Sequence, residues 1–441
     1  MKIPLFDSWN AISRDIWYTV RHVNPNVKFG INIHFNGERI PGIESPFSRV
    51  AGWDDQAIIA DQSLFFNQLR LDDQYEIVAD YQSGKVMFLD QLIGRIKYQQ
   101  NTTQNRLIDY VEWLDKQQVV QKIDYYGQIG QKYKERIFTG PNQWVDSYFS
   151  PGGQPVITHY SNGIIQLNRN NLRLIFTSLQ DFVVWYIKQY HAECQNFIIN
   201  SLGVPYFVTE QLGVTHTFYW TEKLAGALPG NFNDLLENEQ TKFHKILFRN
   251  QRELNKFTKI NVMPFNGEII HAPFKVNVRE KASNNNQITI ATYSDELNHI
   301  EDIINQLPEW HFNIAAPTKV SARLKKLNTL NNVTIYEGVN DNWLRNLLIQ
   351  STVFLDINPG NEVFEANRYA VEHGLILMGY TEMEHNHDFN FTEQYFDVRE
   401  YTELIAKIAT VTGYDIYQRL YDQQRTMINA VTVETYQHAF D

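Results

Sequence analysis

The sequence predicts an α/β protein with two doubly wound domains, the first of which is interrupted by an antiparallel β-meander. Residues 288–380 alternate short apolar runs with amphipathic segments, which is typical of parallel strands covered by helices. Residues 57–167 hold many short β-prone runs separated by turn sequences such as Asn162-Gly163, a pattern that indicates consecutive antiparallel strands. The α/β pattern resumes after Asn168, so the meander is predicted to be an insertion.

The first α/β domain is predicted to comprise residues 1–55 together with residues 169–264. Apolar residues spaced three or four apart predict its helices, and continuous or alternating apolar runs predict its strands. Ser178 stands directly before one predicted helix and has a side chain suited to capping it. The segments concerned are Trp9–Val20, Val27–Phe35, Leu172–Thr177, Ser178–Tyr190, Thr215–Trp220 and a strand–helix–strand unit over residues 245–264.

The inserted segment, predicted as residues 56–168, is rich in aromatic side chains. Five of them are candidate anchors for an acceptor or a partner protein, because exposed aromatic residues commonly dominate binding surfaces. They are Trp113, Tyr125, Tyr126, Trp144 and Tyr148. The segment is either a structural insertion or a binding platform whose free edge accepts a strand from another protein, and the sequence leaves both open.

The second α/β domain is predicted to comprise residues 265–441. Residues 265–287 form a polar connector that we expect to act as a hinge, and Tyr414–Asn429 has the spacing of a closing helix. Residues 351–380 predict a strand–loop–helix–strand unit in which Gly374 ends the helix. Such units bind ligands where strand ends meet helix N-termini.

The composition excludes several function classes. The formal net charge of −11 argues against a nucleic-acid partner, which would require a basic surface. Cys194 is the single cysteine, so there is no disulfide framework and a reducing compartment fits. The most apolar long stretch, Leu172–Tyr190, contains Arg173, Asp181 and Lys188 and is not expected to span a membrane. No signal-peptide pattern stands near the start, and we expect a soluble cytoplasmic protein.

Several segments resemble known glycosyltransferases. Lys245–Leu254 followed by Ile260–Pro264 resembles the last strand–helix–strand of the N-terminal domain in nucleotide-sugar glycosyltransferases of the twin-Rossmann GT-B architecture. The meander is similar to the extended β-sheet domain of the paired glycosyltransferase proteins that O-glycosylate serine-rich repeat adhesins in Gram-positive bacteria. Within that pair, Leu355–Phe364 and Ile43–Phe47 resemble the GtfB family of non-catalytic, stabilising subunits.

The resemblance implies a hetero-oligomeric complex in the cytoplasm that associates at most peripherally with the membrane. In such a complex the catalytic subunit GtfA transfers GlcNAc from UDP-GlcNAc to serine or threonine. The GtfB subunit stabilises GtfA and engages the unfolded, Ser/Thr-rich adhesin, which the accessory Sec system then exports. No cofactor and no metal ion is implied for the GtfB subunit itself.

The segment after the first strand of the second domain lacks the cations that catalysis would need. A departing nucleotide diphosphate carries negative charge, and the glycosyltransferases resembled here place an Arg and a Lys at this point. Residues 282–318 contain neither Lys nor Arg, and Tyr293, Ser294 and His299 stand where the positive charges would be expected. The sequence therefore predicts a subunit without its own transferase activity.

The loop of the strand–loop–helix unit is predicted to be a vestigial nucleotide-sugar pocket. The family uses two glutamates eight positions apart; Glu365 matches the second, whereas Ile357 stands at the first. The candidate pocket residues are Asn358, Gly360, Asn361, Glu362 and Glu365, with backbone N–H groups of Gly360 and Asn361 as anion donors. Alternatively, Glu362 and Glu365 complement the dipole of a helix capped by Asn361, which is the interpretation we favour.

Other candidate sites are weaker. His385 and His387 with Asp388 have a spacing seen in metal sites, but a surface turn is expected there. Cys194 is expected to be a small buried hydrophobic residue, and His216 a hydrogen-bonded interior residue. The alternative function that stays open is a catalytically active GT-B glycosyltransferase that uses UDP-GlcNAc through an unusual donor site.

Overall fold

The computed structural model describes most of the chain, in two compact units. Its described residues are 2–54, 63–79, 83–99, 106–169, 172–221, 242–260, 267–275, 285–386, 393–428 and 433–440, with 224, 228, 230, 232, 265, 389 and 391. One unit is formed by the chain up to Phe274 together with the C-terminal helix, and the other begins at Lys275. Residues 261–264, residues 266 and 276–284 of the predicted hinge, and His387 and Asp388 lie outside the described residues.

The strands are numbered here in chain order. They are β1 Ile3–Phe6, β2 Gly30–Asn32, β3 Ile43–Glu44, β4 Tyr75–Ala79, β5 Ser83–Phe88, β6 Gln91–Tyr98, β7 Ile108–Leu114, β8 Val120–Tyr125, β9 Lys134–Gly140, β10 Gln143–Phe149, β11 Pro155–Tyr160, β12 Ile165–Arg169, β13 Leu172–Phe176, β14 Asn196–Ile199, β15 Thr215–Trp220, β16 Phe243–Phe248, β17 Glu268–His271, β18 Gln287–Ala291, β19 His311–Ala316, β20 Val333–Glu337, β21 Val353–Asp356, β22 Ile376–Tyr380 and β23 Tyr395–Phe396.

The described α-helices are numbered in the same way. They are α1 Ala11–Val23, α2 Pro46–Ala51, α3 Leu179–Tyr190, α4 Val204–Leu212, α5 Gln251–Ile260, α6 Ile300–Gln306, α7 Ala322–Lys325, α8 Asp341–Gln350, α9 Ala366–Glu372, α10 Tyr401–Thr410, α11 Tyr414–Ile428 and α12 Val433–Phe440. Ser178 caps α3, where its side chain accepts a hydrogen bond from the backbone N–H of Asp181, as predicted. Among the described residues, none of these helices has both the length and the apolar character required to cross a bilayer.

The first sheet is parallel and has the order β17-β16-β15-β14-β1-β2-β3. The strand order reverses between β1 and β14, and in such sheets ligands bind outside the carboxyl ends of the strands at the reversal. The backbone N–H of Asp7, after β1, donates to Oδ1 of Asn200, after β14, at 3.3 Å. The predicted α/β character of both chain segments that build this sheet is confirmed.

The second sheet is the predicted meander. Ten strands from β4 to β13 lie side by side in chain order, and each pair of neighbours is antiparallel. Leu172–Phe176, predicted to begin the returning α/β segment, is instead the last strand of this sheet, because it pairs antiparallel with β12 from the pair Arg169 and Leu172 to the pair Ile165 and Phe176. An apolar run predicts a strand but does not specify the sheet that the strand joins.

The third sheet is again parallel, with the order β20-β19-β18-β21-β22-β23. Both of its faces are covered, because alternate residues of β21 enter different hydrophobic clusters: Val353 and Leu355 enter one, and Phe354 enters the other. The order reverses between β18 and β21, so the predicted strand–loop–helix–strand unit begins beside the reversal. The helix expected at residues 414–429 is α11.

The chain ends in the first unit. Helix α12 belongs to that unit, whereas the predicted second domain, residues 265–441, included it. Tyr436 Oη donates to the carbonyl of Pro273 at 2.9 Å, and Lys245 Nζ donates to the carbonyl of His438 at 2.6 Å. The remaining domain boundaries stay predictions.

Candidate functional site

The candidate site lies at the strand reversal of the third sheet, where the loops after β18 and β21 meet. Thr292 follows β18, and its Oγ1 lies 3.0 Å from Oδ1 of Asn358, which follows β21. Both side chains are almost fully buried. In doubly wound sheets the ligand binds between the loops that flank the strand reversal. The Thr292–Asn358 contact joins these two loops here.

Asn358 organises the predicted pocket loop through both ends of its amide. Its Oδ1 accepts from the backbone N–H of Gly360 at 3.1 Å, and its Nδ2 donates to the carbonyl of Asn361 at 2.8 Å. The N–H of Gly360, predicted as a donor for an anion, is therefore already occupied by a side chain of the same loop. Gly360 and Asn361 are exposed at the tip of the loop.

Asp356 and His385 form a buried ion pair directly beneath this loop. Oδ1 of Asp356 lies 2.6 Å from Nδ1 of His385, and Oδ2 accepts from Asn367 Nδ2 at 2.7 Å and from Tyr395 Oη at 3.1 Å. The other ring nitrogen, Nε2, lies 2.8 Å from the carbonyl of Gly360. Both ring nitrogens face acceptors, so His385 is an imidazolium that donates from each side.

These contacts keep the imidazole of His385 protonated. Burial lowers the pKa of the imidazole, but the hydrogen bond and negative charge of Asp356 outweigh burial and raise it to about 9. The expectation that His385 lies in a surface turn was wrong, because only 11% of its side chain is exposed. The positive charge of His385 is neutralised by Asp356 and is not available to a diphosphate.

The glutamates of the loop do not stand in the first turn of a helix. Helix α9 begins at Ala366, after Phe364 and Glu365 adopt left-handed backbone angles with φ of 48° and 54°. The prediction that Asn361 caps a helix carrying Glu362 and Glu365 in its first turn was therefore wrong. Glu365 is instead the residue preceding α9, and its carboxylate lies 3.9 Å from the guanidinium of Arg368.

Glu362 precedes α9 in the chain and accepts a hydrogen bond from its first turn. Its Oε1 accepts from the backbone N–H of Asn367, in the first turn of α9, at 3.1 Å. Burial, followed by the negative charges of Asp356 and Glu365, raises the pKa of Glu362 to about 7. This carboxyl group adds negative charge to the crevice when ionised, which opposes the binding of a nucleotide diphosphate.

The five predicted aromatic anchors lie on both faces of the meander sheet. Tyr148 is 5% exposed and stacks on Phe47 of α2 with ring centroids 4.4 Å apart, so its predicted exposure was wrong. Trp113 lies on the opposite face, where its Nε1 donates to Oδ2 of Asp124 at 2.7 Å. Trp113 and Tyr126 both pack against one hydrophobic cluster of the meander, which contains Val86, Ile96 and Val111. Alternation along each strand separates these side chains.

Tyr125 and Trp144, both half-buried, lie on one face of the sheet with two cations. Nζ of Lys134 lies 3.9 Å from the ring centroid of Tyr125, and the guanidinium carbon of Arg136 lies 4.2 Å from that of Trp144. Arg136 also donates twice to Asp146, at 2.6 and 2.8 Å. We call these five residues the aromatic–cation face; it offers ring surfaces beside charges that are largely paired.

Of two isolated residues, Cys194 was assigned correctly and His216 only in part. Cys194 is buried, as expected, and burial raises the pKa of its thiol to about 11. Its sulfur, a ring nitrogen of His191 and a carboxylate oxygen of Glu193 all lie within 4.8 Å of one another. His216 is 1% exposed, but its Nε2 has no hydrogen-bond partner among the described residues.

Comparison with known proteins gives the family. Models of the GtfB middle domain and the GtfB third domain match residues 75–177 and 179–260, and a model of the GftB/GlyA-F C-terminal domain matches residues 288–424. The UDP-N-acetylglucosamine–peptide N-acetylglucosaminyltransferase stabilizing protein GtfB of Streptococcus pneumoniae is 25% identical over 99% of this chain and 98% of its own length. The chain belongs to the GtfB family.

Solved structures show that this GtfB-family chain has a GT-B-like fold. A chain in the crystal structure of a GtfA/B complex bound to UDP and GlcNAc superposes with a TM-score of 0.88, at 24% identity and with 99% and 98% of the two chains covered. S. aureus TarM, crystallised with Fondaparinux, α-GlcNAc-glycerol and UDP, superposes with a TM-score of 0.59 at 10% identity, over 100% of this chain and 98% of TarM. The predicted twin α/β fold with an inserted antiparallel sheet is confirmed.

Proposed function

We propose that this chain is the non-catalytic subunit that stabilises a partner UDP-GlcNAc–peptide N-acetylglucosaminyltransferase of the GtfA type. The observation that carries the proposal is the full-length match to stabilising proteins of the GtfB family. The geometry of the third-sheet crevice supports it independently, since the loop tip, Asp356 and His385 satisfy one another there. The partner subunit would supply the donor site.

The charges around the crevice explain why this chain would not transfer sugar. Stabilisation of a departing diphosphate requires cations aimed at the developing negative charge. The loop after β18 has neither Lys nor Arg, and Arg368 donates to Glu372 at 2.8 Å. The crevice therefore presents Glu362 and Glu365 to a ligand that is itself an anion. A vestigial pocket at Asn358, Gly360, Asn361, Glu362 and Glu365 remains part of the proposal.

We further propose that the chain engages the unfolded, Ser/Thr-rich acceptor before its export by the accessory Sec system. The aromatic–cation face supports this, because rings beside paired charges suit a neutral, hydroxyl-rich polypeptide better than an acidic or basic one. The chain would work in the cytoplasm, with at most peripheral membrane attachment. Residues 56–168, together with the last meander strand β13 (Leu172–Phe176), would form the extended sheet domain inserted into the first α/β domain.

Calorimetric titration with UDP-GlcNAc tests the absence of a donor site. The chain alone is expected to give no saturable heat, whereas the same titration of the complex with its GtfA-type partner gives binding. The E365A variant is the matched control, and it is expected to give the same flat titration as the unsubstituted chain. Saturable binding to the chain alone that E365A abolishes would contradict the proposal and favour an active glycosyltransferase.

A further inference from the structure

The loop between α3 and β14, in the first unit, brings three candidate metal ligands together. Ligand atoms of His191, Glu193 and Cys194 all lie within 4.8 Å of one another. A turn fixes this arrangement, because the backbone N–H of Cys194 donates to the carbonyl of His191 at 3.0 Å. We call these three residues the α3–β14 cluster, and the proposed function makes no use of it.

His191 is held in one orientation by contacts outside the cluster. Only 10% of its side chain is exposed, and its ring stacks on Phe29 with centroids 4.5 Å apart. Its Nε2 lies 3.0 Å from Oε2 of Glu44 and 3.2 Å from Oη of Tyr186. Its Nδ1 has no hydrogen-bond partner among the described residues. One ring nitrogen is therefore committed, and the other is available to a ligand.

Glu44 determines which ring nitrogen carries the proton. Burial raises the pKa of Glu44, but hydrogen bonds from His191 and Tyr186 outweigh burial and keep the pKa below its ordinary value. The ionised carboxylate can only accept, so Nε2 of the neutral ring is the protonated nitrogen and Nδ1 keeps its lone pair. Histidines that bind metals almost always donate their other ring N–H to a carboxylate, a carbonyl or water. The Glu44–His191 contact thus prepares His191 to bind a metal through Nδ1.

Cys194 and Glu193 are two groups that a shared cation would stabilise. Oε1 of Glu193 lies 3.9 Å from Sγ of Cys194. Burial, followed by the negative charge of Glu193, raises the pKa of the thiol to about 11. A divalent cation attracts both groups, because it binds the thiolate and the thiol proton is released to solvent.

The size of the cluster and its ligand types select zinc. Ligand atoms around a tetrahedral zinc ion lie about 3.3 to 3.8 Å apart, so shifts of about 1 Å close the site. Glu193 is exposed, and its side chain can rotate to make them. One thiolate, one imidazole and one carboxylate suit Zn²⁺, whereas Mg²⁺ and Ca²⁺ require oxygen ligands. Three protein ligands leave the fourth position of the ion to water.

We propose that the α3–β14 cluster binds Zn²⁺ through Nδ1 of His191, Sγ of Cys194 and a carboxylate oxygen of Glu193. Glu44 is the positioning residue that orients His191. The ion ties the end of α3 to the turn that precedes β14. This site does not depend on the proposed stabilising function, and its test does not require the partner subunit.

Titration of the metal-free, reduced full-length chain with Co²⁺, which replaces Zn²⁺ and absorbs light, tests the proposal. We expect one Co²⁺ per chain, with a thiolate-to-cobalt charge-transfer band and the strong visible bands of tetrahedral cobalt. Zn²⁺ is expected to abolish these bands as it displaces Co²⁺, and the displacement measures the affinity for Zn²⁺. Zn²⁺ is also expected to raise the melting temperature, since it binds the folded chain.

Variants assign the role of each residue, with circular dichroism to show that each variant is folded. C194S is expected to remove the charge-transfer band, because Cys194 is the single cysteine. H191Q and E193Q are each expected to weaken Zn²⁺ binding at least about tenfold, and E193Q does so at an exposed position where folding is not at risk. E44Q is expected to weaken Zn²⁺ binding about tenfold but to keep the charge-transfer band, because it removes no ligand atom.

H22Q and E309Q are the matched controls, because they remove the same side-chain types from exposed positions outside the cluster. They are expected to change Zn²⁺ binding less than about twofold. A cobalt spectrum without the charge-transfer band, or Zn²⁺ affinity unchanged in H191Q and E193Q, would overturn the proposal. Unchanged affinity in C194S would also overturn it, by assigning the binding to surface histidines. Unchanged affinity in E44Q would overturn the positioning role of Glu44.

Discussion

At the residue scale, the third-sheet crevice depends on one ion pair. Asp356 is 2% exposed and receives hydrogen bonds from His385, Asn367 and Tyr395. His385 in turn holds the loop tip through the carbonyl of Gly360. Removing one partner of a buried pair leaves an uncompensated charge, which is more damaging than replacing both.

We therefore expect H385A to destabilise the chain by about 3 kcal/mol, because Asp356 would keep a buried charge without its counterion. Urea unfolding followed by tryptophan fluorescence measures the change. H22A, at an exposed position on α1, is the control and is expected to have little effect. The double variant D356N/H385A should be less destabilised than the sum of the two single variants, and strict additivity would contradict the pairing.

The same pair gives a pH dependence of stability. The pKa of His385 is raised from 6.5 to about 9 in the folded chain, so its contribution is complete below about pH 6.5 and is lost as the pH rises through 9. The pKa of Glu362, raised from 4.5 to about 7, acts in the same direction at lower pH. The free energy of unfolding is expected to fall between pH 7 and 9.

Urea midpoints at a series of pH values measure this fall, and H385A is expected to remove the part between pH 7 and 9. If the free energy of unfolding of H385A falls between pH 7 and 9 as steeply as that of the unsubstituted chain, another group causes the pH dependence.

The sequence predicted where this site lies, but it did not predict the contact between His385 and Asp356 or the start of α9. The absence of cations after β18 and the isoleucine at position 357 were visible in the sequence. His385 was missed because it meets Asp356 across 29 residues, and no local pattern links the two. The late start of α9 was missed because the left-handed backbone at Phe364 and Glu365 is rare for residues with side chains.

At the scale of elements, strand alternation and the position of α2 together decide which aromatic side chains of the meander stay accessible. The sequence predicted most of its strands from turn residues and short apolar runs. It could not show which face α2 covers, since that depends on contacts between distant segments: Phe47 stacks on Tyr148 of β10. The five aromatic candidates therefore divide into core residues and surface residues only in the folded chain.

Y148A and W144A separate these two roles. Y148A is expected to lower the free energy of unfolding by about 3 kcal/mol, because it opens a cavity against Phe47. W144A is expected to lower it by about 1 kcal/mol, since its ring is only half-buried. Only W144A should weaken binding of a labelled Ser/Thr-rich peptide without loss of folded protein, as followed by anisotropy and circular dichroism. A W144A variant that binds normally would exclude the aromatic–cation face as the acceptor surface.

At the scale of the whole molecule, the chain combines a GT-B-like fold with a donor-site loop whose polar groups bond to one another and whose own charged side chains are carboxylates. The full-length match to stabilising proteins of the GtfB family agrees with these features. Such a chain acts through what it binds, and its surfaces rather than its crevice would carry the function.

The most direct test measures transfer of labelled GlcNAc from UDP-GlcNAc to a Ser/Thr-rich peptide, with the chain alone, its GtfA-type partner alone, and both together. The chain alone is expected to give no transfer, and the mixture is expected to exceed the partner alone while slowing the loss of partner activity on incubation. Transfer by the chain alone, or a partner equally active and equally durable without it, would contradict a non-catalytic stabilising role.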